Sequence, residues 1–200
     1  MIVEITPSSS ISAVAEGTSD ALDSLQIEVR ERTLYIQQGF EGSYGPRRST
    51  SGPVHIRLTA QNLSVVRMIG SGSIRVQGLR GPLVQLVLDG AGGIDATVPA
   101  GTDVSARAVG SGTITLTGRA QTFTALTNGA ATINAAALPV RDLTVQSVGS
   151  GGGSFAASGT AHVSATGSAS ISVSGQPQCT VRNAGAGTIS CGDNARNRLP

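Results

Sequence analysis

The 200-residue chain contains no tryptophan and no lysine, and only five aromatic side chains, two Tyr and three Phe. A layered globule usually fills its core with large residues, so this supply predicts a thin, repetitive core. Without lysine, all 14 basic residues are arginine, and a lyase-type proton acceptor would have to be one of them. No stretch reaches the ~18 consecutive apolar residues that a membrane-spanning helix requires. The opening, MIVEITPSSS, lacks the basic start and apolar middle of a secretory signal and reads as the beginning of a mature or trimmed protein. Charge is unevenly spread: residues 1–41 hold seven acids and two Arg (net −5), and residues 42–200 hold five acids and twelve Arg (net +7). The positive part carries no interleaved stacking aromatics, so nucleic acid is not an expected partner.

Glycine is abundant, at 27 residues, and it is arranged. The segments IGSGSIRVQG (69–78), VGSGTITLTG (109–118), TGSASISVSG (166–175) and AGAGTISCG (184–192) repeat one phrase. Its starts fall at Gly70, Gly90, Gly110, Gly129, Gly151, Gly167 and Gly185, a period near 20. Four residues after each start stand Ile74, Ile94, Ile114, Ile133, Phe155, Ile171 and Ile189. Two further on come Val76, Ala96, Leu116, Ala135, Ala157, Val173 and Cys191. Polar residues alternate with them, as in Thr113/Thr115/Thr117, which is the period of a strand with one buried face. Four residues before the start come Val66, Leu86, Ala106, Ala125, Val163 and Val181; the fifth copy offers Ser147 counted from Gly151, or Val145 counted from Gly149. A two-residue insertion in GSGGGS (149–154) reconciles both counts and predicts a longer fifth corner.

A third, less regular side is punctuated by Pro82, Pro99, Pro139 and Pro177. Three short strands and three corners per repeat predict an all-β fold, a three-sided parallel β-helix (β-solenoid) with coils of about 20 residues. The patterns of leucine-rich repeats and of calcium-binding β-rolls are absent. The expected organisation is one solenoid domain over 1–200, with an irregular N-terminal cap portion (1–52), regular coils (53–192) and a tail (193–200).

LQIEVRERTLYIQ (25–37), then a loop, then VHIRLTAQNLSVVRMIGSGSIRV, then recurrent Gly-Ser-Gly-x-Ile strands resembles the putative auto-transporter adhesin head GIN domain family. The resemblance implies a three-sided parallel β-helix, usually in an exported bacterial protein, at times lipid-anchored. Periplasmic, outer-membrane-associated or secreted localisation follows from the same likeness. It carries over no catalytic or ligand-binding residue, and the chain shows no translocator barrel.

Candidate chemistry is sparse. His55 and His162 begin no metal-spaced motif, the Gly-x-Gly pairs lack a dinucleotide fingerprint, and no metal or cofactor is expected. Asp89 and Asp95 flank one Gly corner and Asp103 lies roughly half a coil later, and a carboxylate pair ~5–9.5 Å apart would suit a glycosidase; as turn-forming residues they carry no chemistry. Cys179 and Cys191 fall six before and six after Gly185, at core-facing positions, and read either as a disulfide or as two buried thiols. Ser/Thr ladders such as Ser170/Ser172/Ser174 read as solvated surface. Tyr35, Phe40 and Tyr44 cluster with Arg47 and Arg48, and either contact a glycan or protein or seal the solenoid end. The expected function is non-enzymatic: an exported adhesin-like or envelope-binding module whose partner is a cell-surface glycan or envelope protein. A carbohydrate-active β-helix enzyme and a structural, homo-oligomeric module of the envelope are the alternatives.

Overall fold

The computed structural model describes residues 1–30, 33–38 and 52–192. In chain order its elements are β1 (Ile2–Pro7), β2 (Ser12–Glu16), a short helix α1 (Ser19–Asp23), β3 (Leu25–Arg30), β4 (Thr33–Gln38), β5 (His55–Ala60), β6 (Val65–Gly70), β7 (Ser73–Val76) and β8 (Leu83–Gly90). Four long strands follow, β9 (Gly93–Gly110), β10 (Thr113–Gly129), β11 (Thr132–Gly149) and β12 (Gly152–Gly167), then β13 (Ser170–Ser174), β14 (Gln178–Ala184) and β15 (Thr188–Cys191). They wind into a β-solenoid of about six turns, with coils about 20 residues apart. Each long strand is a nearly complete coil, bent where the pairing slips. In β10 the slips against β9 fall between Gly118 and Ala120 and between Ala120 and Thr122, dividing the coil among three sides.

The repeated phrase explains the winding. Gly70, Gly90, Gly110, Gly129, Gly149 and Gly167 stack rung on rung. Their φ values, from +89° to +136°, lie in the left-handed region that glycine alone enters without strain. Each corner is hydrogen-bonded to the one before it, as in Ser111 N–H to Gly90 O at 3.0 Å and Thr113 N–H to Gly92 O at 3.0 Å. The strand after the corner turns alternate side chains inward, so Ile94, Ile114 and Ile133 stack with no exposed surface. Burying each such side chain contributes roughly 1.5–3 kcal/mol. Among the few polar groups inside, Thr127 donates to the Ser147 hydroxyl at 2.8 Å, and Ser147 reaches Gly151 O at 3.4 Å. Neither hydroxyl is left unsatisfied.

The fifth coil differs from its sequence-based expectation. Gly149, not Gly151, stacks on Gly129, and Gly151 lies over Ala131 with no insertion in the corner. Gly153 therefore takes the rung of Ile133, and Phe155 moves to the next inward row, between Ala135 and Val173. The irregularity comes later, where Ala135 pairs with Phe155 but Pro139 already pairs with Ala156. The coil is shortened there rather than lengthened at the corner. Phe155 instead packs on Phe123, ring centroids 5.9 Å apart and tilted by 48°.

The N-terminal portion enters the sheet from outside the winding order. Between β5 and β7 the chain climbs two rungs, and β1 occupies the rung between, parallel to both. Glu4 thereby sits between Arg57 and Arg75 in one outward column that continues to Asp95. Arg75 lies 3.8 Å from Glu4 and 4.0 Å from Asp95, and Arg57 also pairs with Glu16 of β2, which closes the edge antiparallel to β5. Below, Ala21 of α1 packs with Val3, Val54, Ile56 and Leu58 in a second small core. These ion pairs are half-exposed and individually weak, yet reversing one sign places three cations in line. Glu4→Arg should cost about 1 kcal/mol at low salt and less at high salt. Urea melts at two ionic strengths measure this.

Candidate binding surface

The strands Leu25–Arg30 and Thr33–Gln38 form a separate two-stranded sheet that, among the described residues, pairs only with itself. Period-2 alternation gives it two unlike faces. Leu25, Ile27, Val29, Leu34 and Ile36 share one; Leu25 and Ile36 pack on the small N-terminal core, while Ile27, Leu34 and Val29 are 40%, 41% and 70% exposed. The opposite face turns away from the body. On it Gln26 lies across from Gln37, Glu28 from Tyr35 and Arg30 from Thr33. Gln26, Glu28, Arg30, Tyr35 and Gln37 line a shallow hollow. The Arg30 Nε–H donates to Glu28 Oε1 at 2.5 Å, and this bond raises the guanidinium pKa above its ordinary value, so Arg30 keeps its charge.

Tyr35 is thus on an open surface, 45% exposed, and does not seal the solenoid end. Phe40, Tyr44, Arg47 and Arg48 lie outside the described residues. Sequence reasoning singled out Tyr35 but passed over Gln26, Glu28, Arg30 and Gln37. The alternation within LQIEVRERTLYIQ was the signal that would have placed them on its face.

The other sequence candidates are scattered. Asp95 pairs with Arg75, and Asp103 accepts from the Thr122 hydroxyl at 2.6 Å. Asp103 is level with Leu83, six residues along the strand from Asp89, or about 20 Å at ~3.3 Å per residue. Asp89 and Asp103 are therefore too far apart to act as a carboxylate pair. His55 borders a second shallow hollow with Ile2, Glu4, Glu16 and Arg57, and His162 stands exposed on β12. No group of His, Cys, Asp and Glu among the described residues has the geometry of a metal site.

Cys179 and Cys191 are bonded, Cα atoms 6.3 Å apart, tying β14 to β15 across the last coil. Their expected burial is corrected: Cys179 is exposed and Cys191 half-buried. Cys179 pairs with buried Ala161 and so holds an inward register position, but among the described residues no further coil covers it. The bridge closes a loop with a sequence separation of 12 and should stabilise the last coil by about 3 kcal/mol. Reduction is expected to accelerate amide exchange in β14 and β15 selectively, leaving β9–β11 protected. Equal acceleration throughout would show that the last coil is not an independent unit.

Solved structures share this fold. A putative adhesin from Bacteroides fragilis NCTC 9343 is similar at a TM-score of 0.81 and 21% identity, covering 94% of this chain and 87% of that one. A putative adhesin from Parabacteroides distasonis ATCC 8503 gives a TM-score of 0.64 at 16% identity, with 94% and 87% covered. A protein from the same strain described as a putative lipid binding protein gives 0.63 at 17%, again with 94% and 87% covered. At these identities the likeness is one of fold. No curated protein matches the chain. The family model described as "Putative auto-transporter adhesin, head GIN domain" matches residues 1–177, most of the solenoid with its N-terminal strands, and the chain belongs to that family.

Proposed function

We propose that this protein is a non-enzymatic binding module exported to the bacterial envelope or surface, where it makes an adhesin-like contact with a glycan or envelope protein. The observation that carries the reading is family membership joined to a filled interior. Phe123, Phe155 and the Ile and Leu ladders occupy the bore of the solenoid, so contacts are made by outer faces and ends. A lipid, the ligand class named for one structural neighbour, would likewise have to bind outside this packed core. The bonded Cys179–Cys191 pair fits an oxidising compartment. The separation of Asp89 from Asp103, and the engagement of Asp95 by Arg75, argue against the glycosidase alternative.

Beads coated with the purified chain should adhere to cells or matrices that uncoated beads do not hold, and protease added to intact producer cells should cleave the chain. A chain fully protected in intact cells and released only by lysis would sink the surface reading. One observation supports the structural, self-associating alternative: among the described residues β14 and β15 each have one sheet neighbour, leaving the far edges of the last coil without a partner strand there. A defined oligomer in light scattering would favour that reading. A monomer at high concentration would count against it.

A further inference from the structure

We propose that the outward face of the β3–β4 hairpin is a carbohydrate-binding site for neutral, uncharged hexopyranose glycans, with Tyr35 as the platform and Gln26, Gln37, Glu28 and Arg30 as hydroxyl-binding groups. The inference rests on the adhesin reading above and names its site and ligand class.

A pyranose has an apolar face of C–H groups and a rim of hydroxyls that both donate and accept. Its receptor needs a flat aromatic surface of about one ring, bordered by groups of both hydrogen-bonding senses. Tyr35 supplies such a ring, half-exposed and held on a strand rather than on a loop. Around it stand two carboxamides, each with donors and an acceptor, one carboxylate that only accepts and one guanidinium that only donates. The cross-strand pairs Gln26–Gln37 and Glu28–Tyr35 put these groups on adjacent rungs of one face. Glu28 and Arg30 already orient each other, which lowers the entropy lost on binding.

Charge selects the ligand class. Glu28 and Arg30 pair with each other, so the face offers no net charge to a ligand. A sialylated, uronate-bearing or phosphorylated glycan, or a nucleic acid, would find no unpaired cation among the lining residues. The hollow is shallow and its apolar content is one ring, too little for the aromatic-rich centre of a stable protein interface. A sugar epitope, repeated on a surface and bound many times weakly, suits this geometry.

The test is an array of neutral hexose glycans and their sialylated and phosphorylated counterparts, probed with the whole chain displayed multivalently. Tyr35→Ala should lower neutral-glycan binding at least tenfold, or about 1.4 kcal/mol. Tyr35→Phe, which keeps the ring, should stay within about threefold of wild type. Gln37→Ala should lose several-fold, and Arg182→Ala, on the exposed face of β14, nothing. Tyr35 is exposed, so these variants should melt as wild type does, and the melt is recorded for each. Wild-type binding that survives Tyr35→Ala would overturn the hairpin site and leave the adhesin reading standing. Binding confined to acidic glycans would overturn the ligand class. Attachment to cells that persists after periodate destroys surface sugars would point to a protein partner and overturn the glycan assignment. No binding on the array or to cells would remove the site and the adhesin reading together.

Discussion

Ile114→Asp should unfold the middle of the solenoid. Ile114 has no exposed surface and lies on the same rung row as Ile94 below and Ile133 above, both equally buried. The substitution removes an aliphatic side chain from a filled row and leaves a carboxyl group with no cation and no free donor inside. The lost burial and the unsatisfied polar group together should cost roughly 5 kcal/mol. Folding would force the group neutral, so its folded pKa would rise above the unfolded value. A raised folded pKa means that the mutant's deficit relative to wild type is smallest below the unfolded carboxylate pKa and grows as pH increases through the folded one. Urea melts of both proteins at mildly acidic and neutral pH measure the deficit. A deficit below ~1 kcal/mol at neutral pH would mean that Ile114 is not core.

The second large effect is expected at a corner. In Gly110→Val the new Cβ would stand 2.5 Å from Gly90 O and 3.1 Å from Gly90 C, with φ at +104°. The Gly90 backbone cannot retreat easily, because a Cβ built on Gly90 would itself be 2.2 Å from Gly70 O; the corners are already in contact down the stack. Left-handed strain for a β-branched residue costs of order 1–3 kcal/mol, and the clash adds to it. A total near 4 kcal/mol should lower Tm by about 10 °C in a chain of this length. Gly70 supplies the control. Its φ is +97°, but it is the first corner, and nothing lies within 4 Å of its Cβ position. Gly70→Val should therefore show the strain alone, and the difference between the two melts isolates the contact between coils. Equal losses would refute the stacking account.

Much of the fold was legible because a solenoid repeats its own constraints. The same Gly and Ile positions recur in successive coils, so an error in one copy is outvoted by the rest. Legibility failed where the repetition stops. GSGGGS offers several glycines as the corner, and pattern counting chose the one that kept a bulky residue in the Ile row. The backbone ladder instead keeps Gly149 over Gly129 and lets Phe155 occupy the next row. The exposure of Cys179 was invisible for a related reason: parity says which way a side chain points, while burial also needs a neighbouring coil. The proposed binding face was half legible. Tyr35 stood out as a rare aromatic, but its companions are common polar residues, whose meaning comes only from sharing a hairpin face.

The placement of β1 has a consequence for how the molecule assembles. Most rungs pair with a segment about 20 residues away, so the coils can zip up from any starting point as local events. β1 is different: Glu4 faces Arg57 and Arg75, 53 and 71 residues further along. Closing such long loops costs entropy before any contact is gained. The gap must also exist before it can be filled, since it opens only when β5 and β7 are held two rungs apart. β1, which precedes both of its partner strands in sequence, is therefore expected to settle after them, and until it does, two strand edges stay open to a foreign strand.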